Sequence, residues 1–443
     1  MADRPRAPRL DDLSPRERSR TWRLRFTVRE WLSRSLVLVP SLYIAAALAL
    51  GELVPRAEGE RDLLSLKLDP DTARTILSAE ASGMIAFTGL VVSIGVVVVQ
   101  FGASQYTPRL VSRFTRDPVV KHSLGIFIAP AIFALVSLRS IGRDGSEVVP
   151  SLTIGVNMIL LIAAVLAFFG LVSRLLDLLR PRRVIAQTVG QASQAIREVY
   201  PFPLDEEPRV DAIADSPVTA VVSHDGGSGV LSALDRARIV RAAARTGAVV
   251  EVAIGIGGYV PQGAALFIVR GPVEGLDERE LRRAAIVAEE RTITQDPAFA
   301  IRAIVDIALR ALSPAVNDPT TAVQVLDGLE RMLIELSSRR LERGRISDTD
   351  GRLRLVYPNP GWAELLDLAL TEIRHYGASS PQIARRMRAL VLGLIEQAPE
   401  LRGPALADHL RRLDTAIQAD YHDPIERAHA MVPDHLGIGG GAA

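Results

Sequence analysis

The chain has 443 residues, a net charge of +1 and no cysteine, which excludes a disulfide framework, a thiol nucleophile and Cys-ligated metal centres. Its mean hydropathy of +0.20 is high beside 23% charged residues, and the two agree only if apolar residues are segregated along the chain. Lys67 and Lys121 are the only lysines, so no Schiff base, phosphate-loop lysine or carrier lysine lies beyond residue 121.

Residues 1–34 are basic, with Arg16, Arg18, Arg20, Arg23, Arg25, Arg29 and Arg34 around Trp22 and Trp31. This pattern fits a cytosolic or interfacial N-terminal segment and not a cleaved signal peptide. Residues 35–180 carry four apolar stretches, at 36–50, 84–101, 124–138 and 154–172. A hydrocarbon core of about 30 Å needs about 20 residues of helix. The second and fourth stretches meet this, and the first and third need their flanks. Pro40 and Pro130 lie inside the short ones as candidate kinks. Four such runs bounded by arginines predict a four-helix transmembrane domain.

The first connection is acidic, with Glu52, Glu58, Glu60, Asp62, Asp69, Asp71 and Glu80. The second carries Arg109, Arg113, Arg116 and Lys121, and the segment after the fourth stretch carries Arg174, Arg180, Arg182 and Arg183. Positive charge on the inner side then places both termini in the cytosol of a bacterial inner membrane. The four stretches hold no Asp, Glu, Lys, Arg or His, which argues against an active, proton- or ion-coupled transporter. Thr88, Ser93, Gln100, Gln105, Thr107 and Arg109 remain as candidates for pore lining or lipid contact. Gly83, Gly89 and Gly95 favour close helix packing on the same segment.

Residues 181–208 are expected as a helix and a linker, ended by Pro201, Pro203 and Pro208. Residues 209–275 form a β-rich module, with alternating apolar runs, glycine turns and a helix at 236–245. Its glycine–valine spacing resembles the half-motif of barrel-sandwich (lipoyl-like) domains. No lysine stands at the hairpin tip, which leaves a structural or ligand-sensing module. Residues 276–430 are expected to be helical, over 278–291, 298–311 and 321–336. Between the last two, Ser313-Pro314 breaks one helix and Asn317-Asp318-Pro319 starts the next, with Asp318 as N-cap and Pro319 at the first helical position. His422, Glu426 and His429 share a helical face and are the weak candidate for a metal, set against a solvated face interrupted by Pro424. Residues 431–443 are expected as a flexible tail.

The run Arg310-Ala311-Leu312-Ser313-Pro314 with Asn317-Asp318-Pro319, and the run Ser104-Gln105-Tyr106-Thr107-Pro108-Arg109 after a membrane segment, resemble the bacterial predicted membrane protein family called domain of unknown function 2254. The resemblance covers residues 30–430 and implies a topology but no activity. The expected architecture is a transmembrane α-helical domain joined to a cytosolic α+β region. The leading expectation for function is a homo-oligomeric, channel-like conduit with a cytosolic regulatory domain. The alternative is a non-conducting, membrane-anchored sensor or scaffold. An enzyme is a third reading, without a recognisable catalytic set, so none is expected. The expected partners are membrane lipids, further copies of the chain, and a small ion or ligand. No cofactor is expected. Nucleic acid is disfavoured because the basic excess is membrane-proximal.

Overall fold

Five Asp-Pro pairs occur in the chain, at residues 69–70, 117–118, 296–297, 318–319 and 423–424. Each starts a helix. The aspartate side chain accepts from backbone N–H groups of the first turn, and the proline takes the first helical position, where its missing N–H costs nothing. The computed structural model describes residues 9–12, 32, 35–58, 69–105, 114, 117–139, 151–178, 180–205, 216–341 and 344–439. They divide into a membrane unit, residues 27–181, and a second unit made of residues 1–26 and 182–443.

The membrane unit contains α1 (Leu38–Glu58), α2 (Pro70–Gln105), α3 (Pro118–Ser137) and α4 (Ser151–Leu178). All four are long and apolar enough to cross a membrane. Helix α3 takes the centre: 56% of its apolar window is buried, against 11–22% in the other three. It packs on α1, α2 and α4. Two glycines permit the close approach of α1 and α3. A Cβ on Gly125 would strike the ring of Tyr43, and one on Gly51 would come 2.8 Å from Val136 Cβ. Asp117 does double service. It caps α3 through the amides of Val119 and Val120 and pairs with Arg174 of α4 at 2.7–2.8 Å.

Helix α2 is longer than its uncharged stretch suggested. Its 36 residues span about 54 Å at 1.5 Å per residue, and they take in Asp71, Arg74 and Glu80. Helix α3 likewise takes in Lys121 and His122. The uncharged stretches therefore mark the middles of the membrane helices and not their ends.

The second unit is mixed α and β, as expected. It comprises α5 (Pro181–Val199), β1 (Val218–Ser223), β2 (Gly229–Leu234), α6 (Arg236–Thr246), β3 (Val249–Val252), β4 (Tyr259–Val260), β5 (Ala265–Arg270), α7 (Glu278–Ala284) and β6 (Ala285–Ala288). Then follow α8 (Pro297–Ala311), α9 (Pro319–Ser337), β7 (Gly344–Ser347), β8 (Leu353–Tyr357), α10 (Trp362–Gly377), α11 (Pro381–Gln397), α12 (Gly403–Asp420) and α13 (Pro424–Ala430).

One sheet has the order β1-β5-β3-β8-β7, antiparallel except for the β3–β8 pair, and a second has the order β4-β2-β6. Both sheets contribute to one core with α6, built on Val222, Leu231, Ile239, Val250, Phe267, Leu281 and Leu355. Among the described residues the strands close no barrel. The segment 276–430, expected as helical, supplies β6, β7 and β8. These are runs of four or five residues, too short to show a period against the helices around them. Residues 285–288 would have extended the 278 helix by charge pattern, but they pair with β2 instead.

The remaining helices form an all-helical layer. Helix α5 buries Val184, Ile185, Thr188, Val189, Ala192 and Ile196 on one stripe, and Ile185 and Val189 close over Gly328 of α9. Residues 431–439, expected as part of a flexible tail, are held down. Asp434 accepts from the amides of Leu436, Gly437 and Gly439, and the buried Arg385 donates to the carbonyls of Val432 and Gly439. That segment mixes Met431, Val432, Leu436 and Ile438 with proline, glycine, Asp434 and His435 and shows no helical or strand period, so only the fold supplies its partners.

Candidate functional site on the second membrane helix

Helix α2 has two faces of different chemistry. Its packed face runs through Ala73, Leu77, Ala81, Met84 and Val91. Thr88 lies on that side, half-buried, with its hydroxyl donating to the carbonyl of Met84. Opposite, at three- and four-residue steps, stand Thr75, Ala79, Ser82, Ala86, Gly89 and Ser93, all exposed; the exposed Val96 and Val97 follow, and then Gln100. From Thr75 to Ser93 this stripe holds no large apolar residue, while Ile85, Leu90 and Val92 are exposed on its flanks. Helix α4 exposes Met158, Ile159, Ile162, Leu166 and Phe169, side chains that suit lipid tails, and α2 does the same with Ile85, Leu90, Val96 and Val97 outside its small-residue stripe.

The hydroxyls of Thr75 and Ser93 donate to the carbonyls of Asp71 and Gly89 one turn back, so neither demands water. Of the sequence candidates, Ser93 therefore lies in the exposed stripe, Gln100 lies beyond its end and Thr88 lies on the packed side. Gln105 ends the helix, and Thr107 and Arg109 lie outside the described residues.

The packed face of α2 also carries a polar contact that the uncharged stretches concealed. Asn157 of α4, 1% exposed, donates through Nδ2 to Oε2 of Glu80. Glu80 Oε1 and Asn157 Oδ1 are both buried, and neither has a hydrogen-bond partner. Each such buried acceptor costs about 1–3 kcal/mol when left unmade. Nearby packing of Ala81 with Ala134 and Ile154 places this contact where α2, α3 and α4 meet. Ser137, Ser151 and Thr153 are buried on the same ends of α3 and α4. The signal in the sequence was Asp69-Pro70, a helix start ten residues before Glu80.

The second unit holds polar clusters that its fold accounts for. Asp296 caps α8 and accepts twice from Arg291, and both lie against Gly257 in a turn with φ +85°. Burial pushes the Asp296 carboxyl above the usual carboxylate range, against the pull of Arg291. This pair braces the β3–β4 turn on α8. Ser313 and Pro314 end α8, where the Ser313 hydroxyl donates to the Arg310 carbonyl. Asn317 takes a left-handed conformation, φ 47°, which asparagine tolerates. Asp318 then caps α9 through the Thr321 amide and hydroxyl. His422 precedes α13, and His429 Nε2 faces the Arg385 guanidinium at 3.0 Å. Among the described residues, no group of three His, Asp or Glu side chains is placed to hold a metal.

Four bilayer-length helices define an integral membrane protein, and the chain carries a mixed α+β unit as well. The chain belongs to the family described as predicted membrane protein (DUF2254), whose model matches residues 33–392. It is similar to uncharacterised proteins of Mycobacterium bovis and Mycobacterium tuberculosis, each 28% identical over 421 residues, which is 92% of this chain and 81% of theirs. No solved structure matches it.

Proposed function

We propose that the protein is a homo-oligomeric protein of the bacterial inner membrane, whose copies meet along α2 and leave a conduit between them. The second unit lies on the cytosolic side, as do both termini, and regulates the assembly; its two-sheet module, like a barrel sandwich, senses a small ligand. The observation that carries this reading is the exposed small-residue stripe Thr75–Ala79–Ser82–Ala86–Gly89–Ser93, opposite the packed face of α2. Small residues let helix backbones approach closely in lipid, where large apolar ones are as well solvated by acyl chains as by protein. Because α3 fills the centre of each chain, a conduit has to run between copies. The orientation rests on the arginines that flank the first, second and fourth spans. Lipids, further copies and a small ion are its partners in this reading, and no catalytic step or nucleic acid enters it.

The absence of native cysteine makes the test direct. Ser93→Cys should form disulfide-linked dimers on oxidation in native membranes, and Ile162→Cys on α4 should not. In planar bilayers, a thiol reagent should alter the conductance of the Ser93→Cys protein. Failure of Ser82→Cys, Gly89→Cys and Ser93→Cys all to cross-link, with a monomer in detergent, overturns the oligomer. Cross-linking without conductance supports the second reading, a non-conducting sensor or scaffold. That reading is favoured by the hydroxyls of Thr75 and Ser93 being satisfied within their own helix.

A further inference from the structure

We propose that Glu80 of α2 and Asn157 of α4 form a binding site for one small monovalent cation, a proton or Na+, inside the membrane unit. The argument starts from what the pair lacks. Its single mutual hydrogen bond uses Asn157 Nδ2 and Glu80 Oε2. The other oxygen of each group, Oε1 and Oδ1, is buried without a donor. Each is bonded to the same carbon as its engaged neighbour, so both sit beside the contact. Two acceptors, one of them a carboxylate oxygen, call for a positive occupant.

A proton on Oε1 would let Glu80 donate to Asn157 Oδ1 and close a reciprocal acid–amide pair. Na+ would take both oxygens as ligands, in keeping with the preference of hard cations for oxygen. A single carboxylate neutralises a single charge, which selects a monovalent ion over a divalent one.

No protein cation takes this place among the described residues. On α1, Glu52 is paired with Arg56. On α2, Asp71 and Arg74 stand on the exposed side and approach each other at 3.6 Å. On α3, Lys121 and His122 lie at the opposite end, where Lys121 donates to the Leu32 carbonyl and His122 meets the Tyr43 hydroxyl, and Arg139, just past the near end, is exposed. On α4, Arg174 is likewise at the far end, paired with Asp117, and Asp177 lies beside Arg180. An ionisable residue held within a membrane bundle marks an ion or proton site by default, and here the missing partner is identified atom by atom.

The test uses the full chain in lipid nanodiscs. Dicyclohexylcarbodiimide modifies membrane carboxyl groups, and mass spectrometry reads its attachment to Glu80. If Na+ is the occupant, Na+ at ten times its dissociation constant slows this labelling about tenfold relative to N-methyl-D-glucamine, as the free-site fraction falls. It also raises the thermal midpoint of the wild type but not of Glu80→Gln. If a proton is the occupant, Na+ changes neither, and labelling and the midpoint shift relative to Glu80→Gln vary between about pH 5 and about pH 8. The glutamine variant keeps the shape of the side chain and its contact with Asn157. Identical responses of wild type and Glu80→Gln to Na+ and to pH, with no labelling of Glu80 under any condition, overturn the proposal. These readouts need no second copy and no conductance, so they stand apart from the oligomer.

Discussion

Asp117 joins two elements of the membrane unit, and its replacement separates two energies. As N-cap it accepts from Val119 at 2.9 Å, a contact whose loss on going to alanine costs about 1 kcal/mol. As ion-pair partner it is 4% exposed, while Arg174 is 28% exposed. Breaking a buried pair costs about 3–5 kcal/mol and an exposed one at most about 1 kcal/mol. A half-sheltered arginine puts this pair at about 1–3 kcal/mol. Asp117→Ala should then lose about 2–4 kcal/mol. Asp117→Asn keeps an oxygen for the cap and should lose about 1 kcal/mol less. Steric trapping of the full chain in bicelles reads both as shifts in unfolding free energy. A double cycle with Arg174→Gln isolates the pair. Equal losses for Asp117→Asn and Asp117→Ala would refute the capping assignment. A coupling of zero with Arg174 would refute the bridge between α3 and α4.

Two further outcomes concern the second unit. Gly257→Ala meets both a left-handed backbone and the Arg291–Asp296 pair, whereas Gly263→Ala, φ +79°, meets open space. The first should cost about 2–4 kcal/mol and the second about 1 kcal/mol, read as local hydrogen exchange of residues 253–263; equal effects would count against the brace. His409 is held below the ordinary imidazole range by burial, with Arg374 and Arg412 adding to the shift and Asp367 and Asp408 opposing it. The folded state therefore binds its proton less readily than the unfolded chain. Its contribution is present above the unfolded value of about 6.5 and is lost as pH falls through the lowered folded value. The thermal stability of α10–α12 should fall on acidification below that point, and His409→Gln should flatten the dependence. A wild-type curve that is already flat there would be inconsistent with this burial.

The four spans, the mixed α+β character of the remainder and the Asp318 cap were legible in the sequence, because each rests on a local signal. Apolar runs of bilayer length, alternation of small β-branched residues, and an aspartate before a proline all act within a few residues. The same Asp-Pro signal at Asp69 was present as well, and it would have carried α2 back to Pro70 and Glu80 into the helix.

What the tertiary structure alone decided is which faces meet. No local pattern makes α3 the centre of the membrane unit, since its composition resembles that of its neighbours. The partnership of Glu80 with Asn157 joins positions 77 residues apart, and that of β3 with β8 joins a strand pair across three intervening helices. Such pairings cost chain entropy that only the assembled core recovers, so no stretch of sequence announces them. The uncharged middle of the membrane helices was the sequence's contribution. The fold places a carboxylate beside it and leaves that carboxylate's second oxygen without a partner.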